Sequence, residues 1–360
     1  MLPTHYINRL HQWIDCLSNN REEPGLQVND IIDGRTRRAL IYSIVYRYSG
    51  NIVFEAKAQQ LLDYIIEQIQ NEVQVNFGNG IAGIGWAIEW LAQNKFIDGN
   101  TDEILSDLDD EIYKSVIYQK SASLSYYSGA LGKALYFYTR YQCENPIRSR
   151  YRSIANLECL ILQIDEINEL LFDKEKGMLR DFESAASVLL LEDIENIADS
   201  MIFLSRISGL RIYPEITMRI VKGIIAFIEA LYTEGQVLLL TGSSDKSLVK
   251  GHLKLCYAYY FAGLMFRRSG WLLKGKTLFD RLTVNENEGV FDQPVVAELF
   301  SRFYHATGSA AYLSLLENSI DIDQYFDNAR FSFTAGAGIF LTLMGIQKPH
   351  LPQCNEILLL

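Results

Sequence analysis

The sequence predicts an all-α fold, a closed ring of helical hairpins with inner and outer helices. Three observations carry this expectation. Apolar residues recur at helical spacing along most of the chain, and few segments alternate with a period of two. A small-x-x-small motif recurs where helices begin: Gly80-Ile81-Ala82-Gly83, Gly129-Ala130-Leu131-Gly132 and, with alanine in first place, Ala335-Gly336-Ala337-Gly338, with a weaker echo from Ala258 to Gly263. Helices with the motif alternate with helices lacking it, in hairpins of about 45–60 residues, a range known for helical repeats. Glycine costs about 1 kcal/mol against alanine inside a helix. Glycines gathered at helix starts therefore need a reason, and close approach of another backbone, permitted by the missing Cβ, supplies one. Their place at one end of alternate helices fits a ring better than an open solenoid.

Taken in order, residues 5–20 read as a first helix with Ile7, Leu10, Trp13, Ile14 and Leu17 on one face. Asn20 to Asp33, with Pro24 and Gly25, reads as a polar loop. Helices over 36–48 and 56–69 follow, residues 1–50 serving to complete the ring. A glycine helix then runs to Gln93 and ends before Asp98-Gly99-Asn100. Thr101 with Ile104 and Leu105 marks a capped start for a helix reaching Tyr118. The second glycine helix covers Gly129 to Tyr141 and stops before Asn145-Pro146. A longer amphipathic helix covers 150–171, the turn Asp173 to Gly177 follows, and helices are expected over 184–191, 194–208 and from Pro214 to Tyr232. Val237 to Leu240 reads as a short strand or extended loop, and Gly242-Ser243-Ser244-Asp245 as a turn. Further helices are expected over 247–268, 271–283, 293–306, 309–319 and 336–345. No linker interrupts the series, so residues 1–360 read as one domain.

The chain has 360 residues, 49% of them hydrophobic and 21% charged, enough for a large core. A formal charge of −11 argues against a nucleic-acid partner, which calls for a basic face. The basic run Arg35-Thr36-Arg37-Arg38 reads as a solvated helix face. Five cysteines, Cys16, Cys143, Cys159, Cys256 and Cys354, are scattered without a Cys-x-x-Cys pair, which points to a reducing, cytoplasmic compartment. No window of about 18 apolar residues predicts a membrane span.

Residues Gly80 to Leu91, followed by Asp98-Gly99-Asn100-Thr101-Asp102-Glu103-Ile104-Leu105, resemble the first glycine helix and its continuation in bacterial proteins of the lanthionine synthetase C-like family. The resemblance spans residues 50–345. It implies an α/α toroid. It also implies one central zinc that activates a peptide cysteine thiolate for addition to a dehydrated serine or threonine, since zinc lowers a thiol's pKa and holds the thiolate for attack. The family's ligands are a Cys in Trp-Cys-Tyr-Gly and a Cys-His pair in Cys-His-Gly. Leu255-Cys256-Tyr257-Ala258 resembles the first motif and keeps its cysteine and tyrosine. Phe300 to Gly308 resembles the segment after the second, which places Val290-Phe291-Asp292 where Cys-His-Gly stands in the family. Other family positions change as well. The expected acid falls near Ser125, the expected histidine near Glu195, and the expected arginine at His252. The resemblance therefore implies a degenerate member that lacks most zinc ligands.

Cys256 reads as the one surviving ligand-like position or, more simply, as a buried small hydrophobe. A single thiolate cannot hold zinc in a tetrahedral protein site. His252, one turn earlier, shares its face and would pair with it, with Asp245 or Asp292 as further donors; a satisfied polar side chain is the simpler reading. His305 is expected on an outer layer. Tyr126, Tyr127 and Tyr257 are candidates for gripping a peptide through rigid amphipathic rings, within the aromatic runs Tyr257-Tyr259-Tyr260 and Tyr126-Tyr127-Tyr136-Tyr138. Gly80, Gly83, Gly129, Gly132, Gly336 and Gly338 are structural. Three functions follow as expectations. The first is a pseudoenzyme without zinc that binds a ribosomally made peptide or scaffolds its maturation and export proteins. The second is an active zinc-dependent cyclase forming thioether links. The third is a carbohydrate-active toroid enzyme using a carboxylate pair such as Asp181 and Glu183, which a solvated turn explains equally well.

Overall fold

A computed structural model describes residues 2–19, 34–69, 72, 74–147, 149–179, 191–232, 246–283, 294–331 and 333–352. Among them all regular structure is helical. In order, the helices are α1 (Thr4–Asn19), α2 (Arg35–Ser49), α3 (Ile52–Gln68), α4 (Ile81–Gln93), α5 (Thr101–Ile104), α6 (Ser106–Tyr118), α7 (Ala130–Tyr141) and α8 (Arg150–Phe172). They continue as α9 (Leu191–Ile207), extended by a 3-10 turn at Ser208–Leu210, α10 (Pro214–Leu231), α11 (Lys246–Met265), α12 (Ser269–Thr283), α13 (Pro294–Thr307), α14 (Ala311–Ser319), α15 (Ile322–Phe331) and α16 (Phe333–Gln347). The expected helix over 184–191, the extended stretch 237–240, the turn 242–245 and the loop 20–33 lie outside the described residues or reach them only at an edge. The helices group into two compact units, Met1–Ile104 with Asp292–Leu360, and Leu105–Phe291.

In the first unit, α1 buries Tyr6, Leu10, Trp13, Ile14 and Leu17 against α15 and α16. The Trp13 ring stacks on Phe340 with centroids 4.7 Å apart, and the Tyr6 hydroxyl donates to the Ile320 carbonyl at 2.9 Å. Helix α2 is buried on nearly every side, between α3, α4 and α16. This corrects the reading of the Arg35 to Arg38 run as a solvated face: Arg38 is buried, and the Arg35 guanidinium sits 3.9 Å from the centroid of the Tyr64 ring. An inner helix buries its first turn as well, and arginine's apolar stem tolerates this. Gly50, with φ of 72°, ends α2 through an N–H donated to Tyr46 O at 2.7 Å. The next residue, Asn51, accepts from the Val53 N–H at 3.1 Å and starts α3 at Ile52, four residues before the expected start.

Two other boundaries differ from expectation. Asn100, not Thr101, caps the helix after α4: its Oδ1 accepts from the Asp102 N–H at 3.2 Å and its amide donates to Glu103 Oε1 at 2.8 Å. The expected helix to Tyr118 is broken at Leu105, where φ is −100° and ψ 9°. Helix α15 was not expected at all. Its cap is Asp321, whose Oδ1 accepts from the N–H groups of Asp323 and Gln324, both at 3.1 Å.

The two glycine helices begin in the same way. Gly80 and Gly129 are extended N-cap residues, with φ,ψ of −134°,−172° and −109°,−164°. The N–H of the following residue donates to a carbonyl seven residues back, Ile81 to Gln74 at 2.9 Å and Ala130 to Ser123 at 3.0 Å. A Cβ on Gly80 would lie 2.4 Å from Gln74 O, and one on Gly129 2.3 Å from Ser123 O. The close approach inferred from the sequence therefore exists, and its partner is the incoming loop of the same chain. The echo at Ala258 to Gly263 differs: it lies inside α11 rather than at a helix start. There, a Cβ on Gly263 would meet Leu272 N at 2.3 Å, and one on Gly275 would meet Tyr260 N at 2.4 Å, so α11 and α12 cross with backbones in contact. Gly83 and Gly132 lie in the first turns of α4 and α7, while Gly336 and Gly338 fall inside α16, which starts earlier, at Phe333.

Candidate functional site

Helix α11 carries the ligand-like segment, in the second unit. Cys256 is fully buried, and His252, one turn before it, is 4% exposed. The Tyr232 hydroxyl, just beyond α10, lies 2.7 Å from His252 Nδ1. Burial pushes the Cys256 thiol up to about 12, against an opposing hydrogen bond with Tyr232. Burial also holds His252 down to about 4 and raises Tyr232 well above its ordinary value. Imidazole, phenol and thiol are thus all neutral at pH 7, and they satisfy one another. The nucleophilic form of cysteine is the thiolate; with no cation beside it, burial favours the Cys256 thiol instead.

Beside this cluster runs a ladder of charges between α9 and α11. Lys250 Nζ lies 2.7 Å from Glu195 Oε1, and Lys254 Nζ lies 2.8 Å from Asp199 Oδ1. The i,i+4 spacing on both helices stacks the two pairs. Burial raises Asp199 to about 6, with Lys254 acting against the rise. Glu195, near the place where the resemblance expects a histidine, is therefore committed to a lysine. Ser125, near the expected acid, holds the α7 entry: its carbonyl accepts from the Gly129 N–H at 2.9 Å and its hydroxyl from the Tyr127 N–H at 3.0 Å.

The neutral state of His252 sets a pH dependence. A histidine at about 4 when folded and 6.5 when free binds its proton more readily in the unfolded chain. Its contribution is present in full above pH 6.5 and is lost as pH falls from 6.5 toward 4. A shift of this size is worth roughly 3 kcal/mol. Denaturant unfolding at stepped pH is expected to show this loss in the parent chain and a flatter profile in His252→Gln. Parallel profiles would mean that the ring takes up its proton while folded.

The tyrosines divide. Tyr257 is buried and stacks on Phe261 with centroids 5.9 Å apart, which takes it out of reach of a peptide. Tyr259 and Tyr136 are also buried and are bonded to Glu229 at 2.7 Å and Asp109 at 2.5 Å. Tyr126 is half-buried, and Tyr127 is 40% exposed in the turn that opens α7. His305 is exposed near the end of α13. Asp181, Glu183, Asp245 and the segment Val290-Phe291-Asp292 lie outside the described residues.

Of the donors considered for a zinc, only Cys256 and His252 lie among the described residues. No group of three His, Cys, Asp or Glu side chains among the described residues is placed to hold a metal. Around Cys256 the thiol and imidazole face a phenol rather than a third ligand, and the sequence has no Cys or His between Lys276 and Phe300.

No family model and no curated protein matches the chain's sequence. Among solved structures, nisin cyclase superposes with a TM-score of 0.63 at 13% identity, over 99% of this chain and 96% of that one. The fold is that of nisin cyclase. At this identity the likeness establishes the fold class, the α/α toroid expected from the glycine helices, and leaves the chemistry to the residues themselves. No helix among the described residues is long and apolar enough to cross a membrane.

Proposed function

We propose that this protein is a degenerate lanthionine synthetase C-like toroid that binds a ribosomally made peptide without zinc, as a cytoplasmic platform beside peptide-maturation or export proteins. The observation that carries this reading is the closed cluster of Cys256, His252 and Tyr232 where a metal-bound thiolate would be needed. The nisin cyclase fold supports a peptide as the bound class. Tyr127, exposed at the α7 entry with Tyr126 beside it, is the contact of choice. Tyr127→Ala is expected to weaken binding of a lanthipeptide-type precursor about tenfold, roughly 1.4 kcal/mol, with an unchanged melting temperature. Equal affinity of parent and variant in a titration would remove the tyrosine from the interface.

An active cyclase is the second reading, favoured by the survival of Cys256 at a ligand-like position in this fold. Elemental analysis of the purified protein separates the two. Less than one zinc per ten chains is expected. Stoichiometric zinc that disappears in Cys256→Ala would establish the cyclase reading instead.

A further inference from the structure

Helices α2 and α3 and the turn after α4 enclose a cleft of about 480 Å³ within the first compact unit. Ligand pockets run from about 300 to 1,000 Å³. The apolar part of the lining is Ala58 and Leu62 from α3 with Phe96 and Ile97 from the turn. The charged part has both signs: Arg47 from the last turn of α2, Lys95 from the turn, and Glu55 from the first turn of α3. Tyr46 adds a half-buried phenol.

The turn is built to hold this shape. The N–H groups of Lys95 and Phe96 donate to Ala92 and Leu91, at 3.0 and 2.9 Å, the two bonds of a Schellman turn. Lys95 takes the left-handed place in it, with φ of 58°, where glycine is usual. Arg267 ends α11 in the same way, with φ of 54°, and lies outside this cleft, so the conformation alone makes no site. What distinguishes Lys95 is its company. Arg47 donates through Nη2 to the Lys95 carbonyl at 3.1 Å, and its guanidinium lies 3.9 Å from the centroid of the Phe96 ring. That ring in turn stacks on Trp90 at 5.8 Å. Two contacts thus fix the guanidinium while its other N–H groups stay open to an anion.

No hydrogen bond or ion pair among the described residues engages the Lys95 ammonium, the Glu55 carboxylate or the Tyr46 hydroxyl. Helix dipoles explain each charge singly, since cations suit the ends of α2 and α4 and an anion suits the start of α3. They do not explain why charges of both signs share one apolar cleft without pairing. A purely anionic ligand would meet Glu55, and a purely cationic one would meet Arg47 and Lys95. A ligand with both charges and an apolar body suits every part of the lining.

We propose that this cleft binds a small zwitterion with an apolar side chain, an amino acid or a dipeptide, its carboxylate on Arg47 and Lys95 and its ammonium on Glu55. The proposal does not rest on the platform function, whose tyrosines belong to the second unit.

The test titrates the parent chain with leucine and with leucyl-leucine. Each is also used as its N-acetyl derivative, which lacks the ammonium, and as its amide, which lacks the carboxylate. The free zwitterion is expected to bind at least threefold more tightly than either derivative, and the tighter of the two zwitterions gives the length of the ligand. Glu55→Gln is expected to abolish the preference over the N-acetyl derivative and to leave that over the amide. Lys95→Gly is expected to reduce the preference over the amide. Glycine adopts the left-handed conformation freely, so this variant melts no lower than the parent, and its weaker binding is not a loss of fold. Arg267→Gly, the same exchange outside the cleft, is expected to bind as the parent does. A derivative that binds the parent within threefold of its zwitterion would overturn the two-sign site. Unchanged preferences in either Glu55→Gln or Lys95→Gly would overturn it too, as would the absence of saturable binding of leucine and leucyl-leucine. None of these variants alters Tyr126 or Tyr127, so each such failure leaves the platform function standing.

Discussion

Asp109→Ala is expected to destabilise the protein by about 3–5 kcal/mol, the cost of taking the carboxylate away from a buried guanidinium. Asp109 on α6 receives two hydrogen bonds from Arg140 on α7, Nε to Oδ1 at 3.0 Å and Nη2 to Oδ2 at 2.7 Å. Tyr136 donates a third, to Oδ1 at 2.5 Å. Side-chain exposure is 0% for Arg140 and 3% for Asp109, so water cannot substitute for the lost carboxylate. Replacing both partners, Asp109→Leu with Arg140→Leu, is expected to recover most of the loss, because an apolar pair of similar volume avoids the desolvation penalty. Tyr136→Phe removes one hydrogen bond to a charged group and is expected to cost about 1.5–3 kcal/mol. Denaturant unfolding of the four chains measures these differences. A loss below about 1 kcal/mol in Asp109→Ala would show that Arg140 finds another acceptor.

Gly129→Ala is the second large effect, expected at about 2–3 kcal/mol from overpacking. The added methyl would meet main-chain atoms, Ser123 O at 2.3 Å and Ser125 N and O at 2.7 Å. Main-chain atoms cannot swing aside as a long side chain can. Relief requires the whole entry loop to move, with the Ala130-to-Ser123 hydrogen bond and the tyrosines it positions. Gly80→Ala is expected to behave alike, with Gln74 O at 2.4 Å. Gly209→Ala is the control, since a methyl there meets nothing within 4 Å. Thermal melts in which Gly129→Ala and Gly209→Ala coincide would mean the loop is not held as described.

What could be read in the sequence follows from how local each signal is. Helices such as α1, α7 and α8 announce themselves through apolar spacing and caps within their own span. Helix α15 did not, because half of its ten residues are polar and its one strong signal, Asp321, looks like a turn residue until its Oδ1 is seen accepting two N–H groups. The glycine entries were legible as a constraint but not as to its partner: repetition of Gly-x-x-Gly indicates close approach, whereas only the structure shows the approaching carbonyls of Gln74 and Ser123. At the candidate site, the loss of ligand-type residues was visible by counting. What replaces them was not. Tyr232 is 20 residues from His252, and Asp199 is 55 from Lys254. Pairs at such separations carry no mark in a single chain.

The first compact unit joins segments from far apart in the chain, since α1 is covered by α15 and α16 and residues 292 onward complete what residues before 105 begin. This bears on the order of assembly during synthesis. At a ribosomal rate of 5–20 residues per second, the apolar face of α1, with Trp13 and Leu10, waits on the order of tens of seconds before Phe340 exists to cover it. The second unit, continuous in the chain, has all its residues by then. Nascent chains arrested just short of α15 are therefore expected to present a protease-resistant middle flanked by a cleavable leading segment, and to bind a holdase chaperone through that segment until translation resumes.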